Sequence, residues 1–332
     1  MLKGHHNTNY VQRLGLSLSL LLGVMPFVRF KYRVPMKTQD VAPRIWDEVD
    51  VLEVVCRYLR EVPRGLAVLG DRSLHRYLRG KTLGERNPDG RVDNELLGEF
   101  AAFFVRTALV PAGELPARPE DWPADGDSDN FLHWLVDFTE NRVHLPSRAR
   151  FGDLFDTVGI PLDAMTAFRT SHQALTSRPF VLLHTDVHRA NVVLHRKGIS
   201  VIDWELATYG DPLHDLATHI VRMGYSEDEQ QWMIALWAKA MEEAGLGPLT
   251  AGLHEDLGTY LDFEYAQSVF PDVTRAALAL PAAARERHFR AAGERVSRAM
   301  HRAREPLRLH HVPDSEQIVE ALRKWHRTDR QY

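Results

Sequence analysis

Polar and apolar positions alternate with a period of two near the start of the chain and with a period near 3.6 over most of its second half. Tyr10 to Gly15 and Leu16 to Val24 read as adjacent strands, the second placing Leu16, Leu18 and Leu20 on one face against Ser17 and Ser19 on the other. Pro26 breaks the pattern. Phe27 to Val34 then alternates again, with Phe27, Arg29, Lys31 and Arg33 on one face. A helix opens near Pro43, whose fixed φ suits a first turn, and its apolar stripe runs Ile45, Leu52, Val55, Leu59. Glu48 falls on that stripe. A half-buried carboxylate costs roughly a few kcal/mol unless a cation or a donor meets it, and Arg29, Lys31 and Arg33 on the preceding strand are candidates; the other reading of Glu48 is a tolerated boundary residue.

Between Gly80 and Gly126 the chain is rich in Pro, Gly, Asp and Glu, above all in "PAGELPARPEDWPADGDSDN", which is loop chemistry. From about Phe131 helical spacing dominates, as in Phe131, Leu135, Phe138 and later Trp232, Leu236, Ala240. Short β-like stretches interrupt it at Phe180 to Leu183, Asn191 to Leu194 and Ile199 to Asp203. The expected architecture is therefore α+β: a small β-rich N-lobe over residues 1–80, a connector around Tyr77 to Gly84, and a larger, mostly helical C-lobe over residues 81–332. Two units also suit a chain of 332 residues.

Composition narrows the partners. Lys plus Arg number 41 against 45 Asp plus Glu, so the basic excess that a nucleic-acid phosphate backbone demands is missing. The single cysteine, Cys56, excludes an intramolecular disulfide framework and fits a reducing cytoplasm. The run Leu14 to Phe30 behind Lys3 and Arg13 has the look of a secretory h-region but is too short to span a membrane. Its period of two and the absence of a small-x-small cleavage site favour the strand.

The densest chemistry lies in "HTDVHRANVVLHRKGISVIDWE", residues 184–205. "FVLL" runs as a buried strand into His184, and "NVVL" and "ISVID" flank a turn at "HRKG". Such a hairpin sets Asn191 at the start of one strand beside Asp203 at the end of the next, with Asp186 in the loop leading in. Converging oxygen donors suit a hard cation. Mg²⁺ takes one or two carboxylates and leaves its other positions to water and phosphate oxygens. A further carboxylate outside the metal shell is placed to orient an attacking hydroxyl, and the combination is the apparatus of phosphoryl transfer.

These residues resemble the aminoglycoside phosphotransferase and choline kinase branch of the protein-kinase-like superfamily. That family reads His-Gly-Asp-Leu-His-Pro-Gly-Asn, then Ile-Asp-Trp-Glu, then Gly-Asp-Pro-x-x-Asp-Leu-Ala. This chain has His184-Thr-Asp186-Val-His-Arg-Ala-Asn191, then Ile202-Asp203-Trp204-Glu205, then Gly210-Asp211-Pro212-Leu-His-Asp215-Leu216-Ala217. Three linked blocks at matching spacing are far more specific than any one of them. The resemblance implies a bilobal protein-kinase-like fold, Asp186 as catalytic base or hydroxyl-positioning group, His184 as a brace of the catalytic loop, and Asn191 and Asp203 as Mg²⁺ ligands. Thr185, Arg189 and Ala190 depart from the pattern, and Arg189 is open between reaching a phosphate and facing solvent. Val28-Arg29-Phe30-Lys31 is similar to the kinase Val-Ala-Ile-Lys strand, which implies Lys31 as the phosphate-binding lysine and Glu48 as its partner, with Arg29 and Arg33 on the same face as rivals. "KGHHNTNYV" resembles the Gly-x-x-Asn-x-Asn-Tyr turn of choline-kinase-like enzymes, implying that Gly4, Asn7 and Asn9 form a phosphate-binding hairpin tip. "RYLRGKTL", residues 76–83, resembles the hinge segment that meets adenine.

The expectation is a cytoplasmic, ATP- and Mg²⁺-dependent phosphotransferase acting on a hydroxyl of a small molecule, an aminoglycoside or other antibiotic first, with choline, homoserine or methylthioribose as alternative acceptors. Neither a nucleic acid nor a membrane is expected as a partner. The competing class is a catalytically degraded nucleotide-binding regulator. For the acceptor, Glu255, Asp262 and Glu264 are candidate walls for a polycation, and Trp134, Tyr260 and Phe263 either wall a choline-like cation or fill the core.

Overall fold

The computed structural model describes residues 2–3, 7–13, 29–35, 41–60, 62–63, 65–69, 72–78, 80–196 and 198–329. In chain order the strands and helices begin with β1 (Leu2–Lys3), β2 (Asn7–Arg13), β3 (Arg29–Pro35), α1 (Glu48–Tyr58), β4 (Gly65–Leu69), β5 (Arg72–Arg76), β6 (Lys81–Thr82), α2 (Leu83–Arg86) and α3 (Asn94–Ala108). They continue with α4 (Ser128–Phe138), α5 (Leu145–Val158), α6 (Ala164–Arg169), β7 (Val181–Leu183), β8 (Val192–His195), β9 (Gly198–Val201), β10 (Thr208–Gly210) and α7 (Pro212–Met223). The last are α8 (Glu227–Glu243), α9 (Leu253–Leu278), α10 (Glu286–Ala303) and α11 (Ser315–Asp329). The strand expected over Leu16 to Val24 lies outside the described residues. No helix among the described residues is long and apolar enough to cross a membrane.

The chain divides into two compact units, one of residues 1–39, 44–126 and 178–251, the other of residues 40–43, 127–177 and 252–332. The first unit carries an antiparallel sheet in the order β1-β2-β3-β5-β4. Its register sets Lys31 opposite Val11 on one side and His75 on the other. Helix α1 starts at Glu48, five residues later than Pro43 suggested, because the chain ahead of it is held extended: Trp46 Nε1 donates to Ala117 O at 2.9 Å, and Asp47 has β-region dihedrals. Glu48 and Asp50 then occupy the first turn, where the helix dipole favours acids.

The loop reading of residues 80–126 needs correction. Leu97, Phe100, Ala101 and Phe104 recur at helical spacing and are buried along α3, a helix that the Pro- and Gly-rich segments on either side masked. The apolar register of α8 also shifts by one. Met233, Trp237 and Met241 are its buried stripe, whereas Trp232 is exposed; both sets repeat every four residues, so spacing alone does not choose between them. Strands β8 and β9 form the expected hairpin, with His195 paired to Gly198 and the glycine at φ +120°, a value that a side chain rarely adopts.

A buried ion pair lies within this unit. Arg178 Nη1 meets Asp211 Oδ2 at 2.5 Å with both side chains fully buried. Arg178 Nε also donates to Ala251 O at 2.8 Å, and Asp211 Oδ1 accepts from Leu213 N at 2.9 Å, capping α7. The second unit is helical, with Phe131, Phe155, Phe168, Tyr260 and Phe270 in its interior. Its long helix α9 is tied back at its start by Asp256, which accepts from Thr176 N at 2.9 Å.

Three imidazoles of the first unit are buried and held neutral. Burial drives His184 and His219 down to about 4 and His214 down to about 3. An unfolded imidazole takes its proton near 6.5, so the unfolded chain binds more protons below that pH. The stability these groups contribute is therefore whole above pH 6.5 and lost as pH falls toward 4, at about 1.4 kcal/mol per pH unit for each imidazole.

Two predictions follow from these buried groups. Arg178→Met strands a buried carboxylate and is expected to lower unfolding stability by about 3–5 kcal/mol in a urea titration, with Arg178→Met/Asp211→Leu regaining much of the loss. An unchanged midpoint in the single variant would contradict the geometry. Melting temperature is expected to fall between pH 6.5 and 4, and His219→Asn to fall less steeply over that window by about one proton's share. Parallel slopes would show that His219 is not a buried neutral group.

Candidate functional site

Strand β7 delivers the chain into His184, and the next residue reverses it. Thr185 has φ +55°, a left-handed conformation that costs a residue with a Cβ about 1–3 kcal/mol. Three bonds offset that cost. The buried carboxylate of Asp215 on α7 accepts from His184 N at 2.9 Å and from Thr185 N at 2.7 Å, and Thr185 Oγ1 donates to Leu206 O at 2.7 Å. Here the family pattern has glycine, and the threonine hydroxyl compensates for the Cβ. The resemblance implies His184 as a brace of this loop. Its Nδ1 accepts from Asp186 N at 3.2 Å, and its ring stands edge-on to Trp204 at 4.6 Å and Phe103 at 6.1 Å.

Asp186 is gripped on both carboxylate oxygens. Asn191 Nδ2 donates to Oδ2 at 2.7 Å and to the Asp186 carbonyl at 3.1 Å; Arg222 Nη1 donates to Oδ1; His188 Nε2 lies 3.6 Å from Oδ1. Burial opposes the charge on Asp186, but the Arg222 guanidinium and then His188 outweigh it, holding the carboxyl well below the usual carboxylate range. So strongly stabilised a carboxylate stays ionised and is a weak base. It suits holding a hydroxyl in line more than removing its proton early.

The same contact fixes the Asn191 amide. Only an N–H can face a carboxylate oxygen at 2.7 Å, so Asn191 presents its Oδ1 elsewhere as an oxygen donor. Asn191 O accepts from Ile202 N at 2.9 Å, and Val192 pairs with Val201, so the hairpin brings Asn191 to the end of β9, where Asp203 follows. Asp203 has φ +73° and ψ +66° and is near enough to His184 to influence its charge. A carboxylate and an amide oxygen at one hairpin end are the donor types that a hard divalent cation takes.

Glu48 is on the half-buried face that the helix pattern gave it. Its Oε1 accepts from Trp204 N at 3.0 Å, and its Oε2 lies 3.6 Å from His75 Nε2. It thus touches the residue after Asp203, and it touches His75, which the sheet register sets beside Lys31. Gly4 lies outside the described residues. Asn7 and Asn9 are strand residues of β2, paired with Pro35 and Arg33. Arg189 takes neither course left open for it: Nε donates to Met223 O at 3.3 Å and Nη1 to Asn87 O at 2.9 Å, stapling the loop to the end of α7.

The sequence reading missed Arg222, His219 and His75. For the first two there was a signal: Asp215, His219 and Arg222 follow the i, i+4, i+7 spacing of one helix face. His219 Nδ1 bonds Val187 O at 2.9 Å and its Nε2 accepts from the Tyr225 hydroxyl at 2.9 Å, so this face holds the loop at three points. The three α9 carboxylates do not share one face. Glu255 and Asp262 are exposed, while Glu264 is buried against Gln267, about 200° around the helix from Asp262. Tyr260 and Phe263 fill the core, and the half-buried Trp134 stacks on Phe138 at 5.8 Å.

The family model for the phosphotransferase enzyme family matches residues 29–254. The sequence matches no curated protein. Among solved structures, the chain is similar to the Plasmodium vivax ethanolamine kinase, at 12% identity and a TM-score of 0.55 over 92% of this chain and 80% of that one. It is similar to a putative aminoglycoside phosphotransferase from Ralstonia eutropha, at 14% identity and a TM-score of 0.54 over 97% and 91%. It is also similar to a thermostable mutant of an aminoglycoside phosphotransferase in ternary complex with ADP and hygromycin B, at 12% identity and a TM-score of 0.52 over 94% of each chain. At such identities the likeness is one of fold, and it gives the chain the α+β, protein-kinase-like class that its motifs implied. With the family match running from β3 through residues 184–191 and α7 into α9, the chain belongs to the phosphotransferase enzyme family and is a small-molecule phosphotransferase acting on a hydroxyl group.

Proposed function

We propose that this enzyme transfers the γ-phosphoryl group of ATP to a hydroxyl of a small organic molecule in a Mg²⁺-dependent reaction, with residues 1–80 binding the nucleotide and residues 81–332 supplying catalysis and the acceptor site. The observation that carries the reading is Asp186, a carboxylate fixed on both oxygens and beside the hairpin end that brings in Asn191 and Asp203. Asp186 holds the acceptor hydroxyl in line, the O–P bond forms as the bond to ADP breaks, and the hydroxyl proton passes late to the Asp186 carboxylate and from there to water. Asn191 through Oδ1 and Asp203 through its carboxylate would hold Mg²⁺, which when bound offsets charge on the phosphates. Lys31, with Glu48 behind it, meets the phosphates. His184 acts by keeping the loop in place, and Gly4, Asn7 and Asn9 line the nucleotide from the first hairpin. Dependence on ATP accords with a cytoplasmic site of action.

For the acceptor, an aminoglycoside or another antibiotic is the first choice, by analogy with the family and with the neighbour that holds hygromycin B. Ethanolamine- or choline-type amino alcohols are the alternative, from the likeness to an ethanolamine kinase.

The test is ADP release from purified protein and Mg·ATP across hygromycin B, other aminoglycosides, ethanolamine and choline, beside calorimetric titration with Mg·ATP. Asp186→Ala is expected to bind Mg·ATP within about twofold of wild type while losing roughly 10²–10⁴ in turnover. Asp203→Ala is expected to lose turnover and to weaken Mg·ATP binding together. Normal turnover in Asp186→Ala would overturn the assignment of the loop, and nucleotide binding with no turnover on any acceptor or on water would favour the regulator.

A further inference from the structure

Helix α7 presents Asp215, His219 and Arg222 along one face, and each takes hold of a different point in residues 184–187. The first two act on backbone: Asp215 on the N–H groups of His184 and Thr185, His219 on the carbonyl of Val187. In residues 184–187 the contact that Arg222 makes is with a side chain, the Asp186 carboxylate. That difference matters. The loop path is already fixed by the two backbone anchors, whereas the last torsion of an aspartate is broad and settles only where its oxygens are held.

We propose that Arg222 is a positioning residue of the phosphoryl transfer, fixing the plane of the Asp186 carboxylate by taking Oδ1 while Asn191 takes Oδ2. The proposal rests on the reading of Asp186 as the group that orients the acceptor. A carboxylate has about four lone-pair directions, and occupying one on each oxygen leaves the others with fixed bearings, one of which receives the acceptor O–H. Asn191 cannot set the plane by itself if its other end faces a cation that moves with the nucleotide. Arg222 is suited to the task. Its planar guanidinium is always charged, its side chain is 27% exposed against 15% for Asp186, and it sits in the last turn of α7, where the helix dipole favours a cation.

The sign of the effect separates positioning from simple electrostatics. Removing a cation from beside a carboxylate makes that carboxylate a stronger base, so a reaction limited by proton removal would be unharmed or faster without Arg222. A reaction limited by orientation slows. Lysine at this position restores charge without the planar fork and recovers only part of the rate.

The probe is Mg·ATP with water as phosphoryl acceptor, ATP and water giving ADP and phosphate, followed as single-turnover phosphate release over hours. Relative to wild type, Arg222→Met is expected to slow release roughly 10- to 100-fold with Mg·ATP affinity by calorimetry within about twofold, and Arg222→Lys to fall between. Arg222→Met in an Asp186→Ala background is expected to add nothing, because the group it positions is gone. Millimolar methylguanidinium should speed Arg222→Met severalfold and leave Asp186→Ala/Arg222→Met unchanged. Wild-type rates in Arg222→Met, or equal losses in the two backgrounds, overturn the inference. If Arg222→Met fails to fold, seen as lost Mg·ATP binding, Arg222→Lys with and without the Asp186 substitution carries the same comparison. Undiminished release in Asp186→Ala alone would instead sink the functional reading beneath it.

Discussion

The carboxylate of Asp215 is the constraint on which the rest of the site depends. Two consecutive backbone N–H groups, those of His184 and Thr185, converge on it at 2.9 and 2.7 Å inside the protein. Such a fork demands that the chain turn sharply between them, and the turn puts Thr185 at φ +55°. Without an acceptor there, two buried donors would go unsatisfied at about 1–3 kcal/mol each, and the reversal would lose its reason. With it, Asp186 is thrown out of the strand line toward Asn191 and Arg222. The link runs from a single acid in a helix to the bearing of a second acid 29 positions earlier in the sequence.

The other end of the site uses the same device. Asp203 also has a left-handed backbone, and the N–H that follows it, on Trp204, is received by Glu48. Among the described residues the non-glycine positions with positive φ are Thr185, Asp203 and Arg308, so two of the three stand next to or at the proposed functional carboxylates. In each case an acid from a helix accepts the N–H that the unusual backbone exposes. Strain at these points is held in place by charge-assisted hydrogen bonds, which are about twice as strong as neutral ones. The arrangement gives Glu48 a backbone role at the Asp203 segment in addition to any it has toward the sheet.

Much of this was legible in the sequence wherever the information is linear. The hairpin of β8 and β9, the loop before it, the buried face of α1 and the placement of Glu48 all follow from spacing and periodicity along one stretch of chain. What escaped was of two kinds. Elements whose composition is diluted by flanking loops, such as α3 within a Pro- and Gly-rich region, disappear when a long window is averaged. Contacts set by tertiary docking leave little local trace. Nothing in the sequence near His75 announces that it will touch Glu48, and Arg222 reads as an ordinary last-turn cation until Asp215 and His219 are seen to share its face.

The fate of the α9 carboxylates shows why acceptor identity is harder to read than catalysis. The proposed catalytic groups lie on a loop and a hairpin whose backbone bonds bring them together, so spacing in sequence translates directly into proximity. Glu255, Asp262 and Glu264 lie on one continuous helix, where two residues of separation reverse the direction of a side chain; Asp262 and Glu264 therefore point to opposite sides. Glu264 is buried against Gln267, and Asp256 is committed to Thr176 N. Acidic residues of the 111–130 loop are similarly engaged: Asp125 accepts from Phe180 N, Asp127 caps α4, and Glu114 receives Arg57 and Tyr58. A polycation site needs carboxylates that converge and are not already employed as caps and braces. In this chain several of the acids that density of charge singled out, Glu264, Asp125, Asp127 and Glu114 among them, are spent on building the fold, whereas Glu255 and Asp262 stay exposed, seven residues apart on one face of α9.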